Sequence, residues 1–105
     1  MDNEEYVDFI KSLLIKIENV LNLLDQKPSK HIPAYQKMLG VNQKIAELNR
    51  DYRNKMFHQM IKTRGIINYL MNGRYEDARK EIIKLKSGLV HICLDIQGNN
   101  ENNKV

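Results

Sequence analysis

The chain has 105 residues, which is enough for one domain with a modest core. Its 42% hydrophobic and 29% charged residues are typical of a soluble protein, and its net charge of +4 permits contact with nucleic acid without indicating it. The single cysteine, Cys93, excludes a disulfide within the chain. The acidic start "MDNEEYVDF" is unlike a signal peptide, and charged residues interrupt every apolar stretch. We therefore expect a cytoplasmic protein with no membrane contact.

The first predicted helix covers about 4–26, followed by a break at Pro28 and Pro33. Its apolar residues recur at alternating spacings of four and three, the heptad pattern of a helix that packs along a seam. A second apolar stripe beside the seam predicts contact with two neighbouring helices. The seam residues are Tyr6, Ile10, Leu13, Ile17, Val20 and Leu24, and the second stripe is Val7, Leu14 and Leu21.

The second predicted helix is long and covers about 34–71. Its seam keeps the heptad spacing as far as Tyr52, and then takes two successive steps of four through Met56 and Met60. Two such steps form a stutter, which locally unwinds a coiled coil. The irregularity directly follows the charged hexamer "RDYRNK" at 50–55.

The third predicted helix covers about 74–97, after a tight turn for which Gly73 suits the left-handed position. Residues 1–98 are thus predicted to form one helical domain. The Asn-rich tail at 99–105 is predicted to be disordered.

These elements predict an all-α fold in which the second and third helices form an antiparallel hairpin, with the first helix added to it. Because a hairpin buries little apolar surface alone, we expect two chains to pair into a four-helix bundle. The residues predicted for this dimer core are Ile45, Leu48, Tyr52, Met56, Ile67, Leu70, Ile82, Leu85, Leu89 and Ile92.

The hexamer resembles the phosphoacceptor box of a subfamily of sensor histidine kinases and of the related sporulation phosphotransferase. That box reads R-H-D-[Y/F]-x-N, and Asp51, Tyr52 and Asn54 match its last three fixed positions. Arg50 stands where the phosphoaccepting histidine would be. The stretch "IINYLMNGRYEDARKEIIKL" is similar to the hairpin that follows the box in this family, and the similarity covers about 38–100.

The resemblance implies a dimeric helical module of two-component signalling, but Arg50 removes the chemistry. Arginine keeps its proton at any working pH and has no free nitrogen lone pair for attack on phosphorus. The chain also has no glycine-rich phosphate loop, so we expect no autokinase activity and no cofactor. The expected function is non-catalytic: binding a response-regulator receiver or a sensor kinase.

One outward stripe of the long helix is a candidate surface for such a partner. Its residues are Arg50, Asn54, Phe57, Ile61 and Arg64. Apolar residues rimmed by polar ones mark interaction sites. The alternative is that the first helix packs over Phe57 and Ile61, and the sequence leaves both possibilities open.

Two other functions remain open. Arg53, Asn54 and His58 fit the R-N-x(3)-H signature of HEPN-type helical ribonucleases, in which His58 would act on the 2′-hydroxyl of RNA and Arg53 would steady the phosphate. The heptad seams alone would also suit a purely structural bundle protein. Because no cluster has metal-ligand spacing, no metal is expected, and His31 and His91 are predicted to be structural.

Overall fold

Four α-helices make up the part of the chain that the computed structural model describes, namely residues 2–28, 30–51 and 56–103, with the backbone alone for 99–103. The helices are α1 (Asn3–Asp25), α2 (His31–Asp51), α3 (Phe57–Met71) and α4 (Tyr75–Asn103). The described residues contain no β-strand. The predicted all-α fold is confirmed.

Local sequence signals explain several helix ends. The Asp2 side chain accepts a hydrogen bond of 2.8 Å from the Glu5 backbone N–H and so caps α1. The α3–α4 turn is a Schellman motif, in which the Arg74 N–H donates to the Tyr69 carbonyl at 2.9 Å. Gly73 has φ 72° there, in the left-handed region predicted for it.

The helices form a closed ring of neighbours in which α1 contacts α2, α2 contacts α3, α3 contacts α4 and α4 contacts α1. Contacts between α1 and α4 show an antiparallel pair, because Arg79 binds Asp25 while Lys86, seven residues later, binds Glu18, seven residues earlier. The result is an up-and-down four-helix bundle of 52 × 23 × 17 Å.

The core lies along the bundle axis, where the predicted seams meet. Each helix contributes apolar residues at spacings of three and four, as expected for one buried stripe on a helix. The fully buried large side chains are Tyr6, Ile10, Leu13, Ile17, Met38, Ile45, Leu48, Met56, Ile66, Ile82, Leu85 and Leu89.

The predicted continuous helix at 34–71 is wrong. α2 ends at Asp51 and α3 begins at Phe57, and the two helices are antiparallel. The Asn49 side chain accepts a hydrogen bond from the Met56 backbone. Asn42, seven residues before Asn49, accepts one from Thr63, seven residues after Met56. In one straight helix, residues 42 and 63 would lie about 31 Å apart, at about 1.5 Å per residue. The chain therefore reverses its direction between Asp51 and Met56.

This reversal also corrects the reason for expecting a dimer core. Of the ten residues assigned to that core, seven are buried within the single chain and two are partly buried against them, while Tyr52 lies outside the described residues. The buried seven are Ile45, Leu48, Met56, Leu70, Ile82, Leu85 and Leu89, and the partly buried two are Ile67 and Ile92. One chain completes a four-helix core because it has four helices rather than three.

The predicted disordered tail at 99–105 overlaps the last residues of α4. α4 continues as far as Asn103, whereas the third helix was predicted to end near residue 97. The Asn-rich composition favoured a frayed tail because asparagine is a weak helix former. The helix nevertheless extends through residues 99–103 as part of one element of 29 residues, and residues 104–105 lie outside the described part of the chain.

Candidate functional site

The first two residues of the hexamer at 50–55 lie at the carboxyl end of α2. Arg50 and Asp51 are both exposed there, and the Arg50 Nε lies 3.7 Å from the Asp51 Oδ1. An exposed pair of this kind adds little stability. The guanidinium of Arg50 is therefore accessible to a partner rather than committed to the fold.

Asn49 joins the end of α2 to the beginning of α3. It is 7% exposed, and its Oδ1 accepts a hydrogen bond of 3.0 Å from the backbone N–H of Met56. Since Arg50 follows Asn49 and Phe57 follows Met56, this bond brings Arg50 and Phe57 to the same end of the bundle. Asn49 was not predicted from the sequence, because a hydrogen bond across a reversal of the chain has no sequence signature.

The outer side of α3 exposes two large apolar side chains. Phe57 is 48% exposed and Ile61 is 50% exposed, and both lie near the beginning of α3, far from the exposed Met71 at its end. The spacing from 57 to 61 to 64 places Arg64, which is also exposed, on the same side. α1 packs against α2 and α4, so it does not cover Phe57 and Ile61. We call Arg50, Phe57, Ile61 and Arg64 the α2–α3 patch.

The structure changes how the members of this patch are related. They were predicted as one stripe on a single helix, but Arg50 lies on α2 and the other three lie on α3. Arg50 and Phe57 lie at the same end of the bundle because Asn49 and Met56 join the adjoining ends of these two neighbouring helices. Asn54, the fifth predicted member, lies outside the described residues, as do Tyr52 and Arg53.

His58 is the described member of the alternative nuclease pair. It is exposed in the first turn of α3, and its ring packs edge-on against Phe57 with 6.3 Å between ring centroids. His31, at the start of α2, contacts the Tyr75 ring at 5.0 Å between centroids. No group of three or more His, Cys, Asp or Glu side chains within residues 2–28, 30–51 and 56–98 is placed to hold a metal ion.

Comparison with known proteins gave no match to a family model, to a curated protein or to a solved structure. Among the helices described above, none has an apolar stretch long enough to cross a membrane.

Proposed function

We propose that this chain is a non-catalytic helical module that binds a protein of two-component signalling, a response-regulator receiver or a sensor kinase, through the α2–α3 patch. The observation that carries the proposal is the half-exposure of Phe57 and Ile61, which lie one turn apart on α3 with the exposed Arg64 on the same side. Large apolar side chains left in water by a complete bundle favour a role in contact with another protein.

The charges of the patch indicate the chemistry of the partner. Arg50 and Arg64 are exposed cations that precede and follow the apolar pair along the chain, and Arg50 lies 3.7 Å from the carboxylate of Asp51. A partner surface with an apolar centre and an acidic rim would complement this arrangement. Arginine is also among the residues that contribute most to binding energy at protein interfaces.

The resemblance of residues 50–54 to a phosphoacceptor box supports the choice of a two-component protein. Arg50 cannot accept a phosphoryl group, because its guanidinium has no free lone pair. The module would therefore occupy the partner's docking surface and change signalling by competition rather than by phosphotransfer.

Binding to purified receiver domains and sensor-kinase dimerisation domains tests the proposal. We expect the double variant Phe57→Ala/Ile61→Ala to lose about tenfold or more in affinity, since two interface anchors together are worth more than 1.4 kcal/mol. Ile15→Ala is the matched control, because Ile15 is an exposed isoleucine on α1. Unchanged binding in the double variant would show that the partner does not bind through the α2–α3 patch.

Other outcomes separate the alternatives. Failure of every receiver and kinase domain to bind would leave a structural bundle. RNA cleavage that disappears in His58→Ala would establish the nuclease. Conversely, an Arg50→His variant that gains phosphate from a phosphorylated receiver would support the alignment of residue 50 with the acceptor histidine.

A further inference from the structure

The large apolar side chains exposed in the described part of the chain lie on two faces of the bundle. The α2–α3 face carries Ile32, Leu39, Phe57, Ile61 and Met71, and the α1–α4 face carries Ile15, Ile83, Val90 and Leu94. The helices contact one another in the ring order α1, α2, α3, α4, so these two faces lie on opposite sides of the bundle.

The apolar residues of the α1–α4 face lie beside the contact between its two helices. Val90 follows Lys86 by about one turn, and Lys86 binds Glu18 of α1. Ile15 precedes Glu18 by about one turn, so in this antiparallel pair it lies level with Val90. Leu94 follows Val90 by one further turn. These three exposed side chains therefore share the outer surface of the α1–α4 pair.

The α2–α3 face continues the α2–α3 patch along both of its helices. Ile32 of α2 and Met71 of α3 line one groove near the turn that follows α3. Residues seven apart share one side of a helix, so Leu39 lies on the same side of α2 as Ile32. Met71 likewise lies on the side of Arg64, a member of the patch. Along α3 this face runs from Phe57 to Met71, a distance of about 21 Å at about 1.5 Å per residue.

The helix pairs that form the two faces carry opposite net charges. α2 and α3 together contain two acidic residues and five lysines and arginines, and α3 itself contains no acidic residue. Over 3–25 and 75–98, α1 and α4 contain nine acidic residues and six lysines and arginines. With histidine neutral, the α2–α3 pair has a net charge of +3 and the α1–α4 pair a net charge of −3. The two faces therefore attract each other when they belong to different copies.

Exposed carboxylates border the apolar residues of the α1–α4 face. Asp8 and Glu76 each precede an isoleucine of this face by seven residues, so each lies on the side of its helix that carries the apolar residues. Because α1 and α4 are antiparallel, the two carboxylates lie toward opposite ends of the face. Lys11 and Lys80 are also exposed on these helices, so the attraction comes from an excess of acidic groups and is moderate.

We propose that a second copy of this chain docks with its α1–α4 face on the α2–α3 face of the first. Such a contact joins two different surfaces, so each copy can take part in two contacts, and the copies form a stack or a closed ring. The bundle is 52 Å long and 17–23 Å across, so one face offers roughly 900–1,200 Å², against the ~800 Å² that each partner contributes to a standard interface. This arrangement differs from the predicted pairing of two hairpins, because every copy keeps its own complete core.

Self-association of this kind would regulate the proposed partner site. A docked copy covers Phe57 and Ile61, so it competes with any protein that binds the α2–α3 patch. This consequence rests on the proposed function, whereas the contact between copies does not. Since the docked copy adds nothing to the core, and apolar residues form only part of each face, we expect a weak contact with a Kd on the order of 0.1 mM.

Sedimentation velocity of the full chain and of two face variants tests the proposal. Phe57→Asp/Ile61→Asp blocks the α2–α3 face, and Val90→Asp/Leu94→Asp blocks the α1–α4 face; all four residues are exposed, and circular dichroism checks that both variants fold. We expect the unmodified chain to grow beyond a dimer as its concentration approaches about 1 mM, tenfold above the expected Kd. Each variant alone should stay monomeric.

An equimolar mixture of the two variants gives the decisive result. We expect a one-to-one complex, because each variant keeps the face that the other has lost. The complex should weaken severalfold when the salt concentration is raised from about 0.05 M to about 0.5 M, since salt screens the attraction between the faces. His91→Asp is the matched control: His91 is exposed on the α3 side of α4, and this variant should stack like the unmodified chain.

Three results would each overturn the proposal. They are an unmodified chain that stays monomeric at about 1 mM, a mixture of the two variants that does not associate, and a single face variant that still dimerises. The last would show that two like faces pair. Val90→Asp/Leu94→Asp retains the α2–α3 patch, so it should still bind the signalling partner. Failure of the stack and failure of the proposed function are therefore distinguishable.

Discussion

Asn49 holds Met56 in place across the reversal between α2 and α3. The side chain of Asn49 is almost fully buried, and its Oδ1 lies 3.0 Å from the Met56 backbone nitrogen. Met56 itself is completely buried, so its backbone N–H cannot form a hydrogen bond with water instead. One polar side chain thus joins the end of one helix to the beginning of the next inside the core.

Removing this acceptor should destabilise the bundle. We expect Asn49→Ala to lower the free energy of unfolding by about 1–3 kcal/mol, because a buried N–H loses its hydrogen bond. Urea denaturation followed by circular dichroism measures the change. Gln43→Ala, at an exposed position of the same helix, should change stability by less than about 0.5 kcal/mol. Equal effects of the two substitutions would show that the Asn49–Met56 bond contributes nothing.

The seams predicted the core well because burial depends on apolar periodicity, which the sequence displays directly. Ile10, Leu13 and Ile17 of α1 and Ile82 and Leu85 of α4 are all fully buried, as their spacing indicated. The same signal supported the kinase-like hairpin, because apolar residues continue at helical spacing across 48, 52, 56 and 60. Periodicity alone does not distinguish one long helix from two helices that share a core.

The stutter at Met56 and Met60 was the local sign of the reversal. Two successive steps of four predict a locally unwound coiled coil, which is a smaller departure from the heptad than the end of a helix. The decisive contacts are those of Asn49 with Met56 and of Asn42 with Thr63, and neither pair has a sequence signature. The sequence placed Phe57 and Ile61 on an outer face but left open whether the first helix covers them, because that depends on which helices become neighbours.

A bundle that one chain completes should unfold independently of protein concentration. We expect the midpoint of thermal unfolding to stay constant over a hundredfold range of concentration, because the core needs no second chain. An obligate dimer would instead become more stable as concentration rises. Scanning calorimetry, with sedimentation velocity on the same samples, makes the comparison. A midpoint that rises steadily with protein concentration would show that the core needs a second chain.

The ion pair between Asp25 and Arg79 should respond to acid. Hydrogen bonds from the Arg79 guanidinium, at 2.9 and 3.3 Å, lower the pKa of Asp25 below its ordinary value of 3.8. A carboxyl with a lowered pKa stabilises the fold above its ordinary pKa, and this contribution is lost as the pH falls through the lowered value. Both side chains are exposed, so we expect a small effect that salt reduces further.

Titration of the side-chain carboxyl by NMR checks this prediction. In Arg79→Gln the pKa of Asp25 should return toward 3.8, because the bidentate donor is gone. Arg74→Gln is the control, since Arg74 pairs with Asp77 rather than Asp25. The same Asp25 midpoint in both variants would contradict the assignment of the shift to Arg79.

Cys93 should be unreactive in the folded protein. Burial on the core side of α4 raises the pKa of its thiol. The positive charge of nearby Lys11 lowers this pKa, but by less than burial raises it. The thiolate is the reactive form, so a raised pKa and low exposure both slow alkylation. Mass spectrometry after iodoacetamide treatment should show labelling that rises with urea along the unfolding transition. Rapid labelling in native buffer, at the rate of glutathione, would show that this part of α4 opens readily.

Gly73 should be the glycine least tolerant of substitution. Its φ of 72° lies in the left-handed region, where an L side chain costs about 1–2 kcal/mol. We therefore expect Gly73→Ala to destabilise the fold by about that amount and Gly73→Asn to cost less, because asparagine tolerates this conformation. Gly65→Ala is the matched comparison, since Gly65 lies inside α3 with open space around its new Cβ. It should stabilise the fold by about 0.5–1 kcal/mol through better helix propensity. Urea midpoints of the three variants give the order, and a Gly73→Ala variant as stable as Gly65→Ala would contradict the Schellman turn.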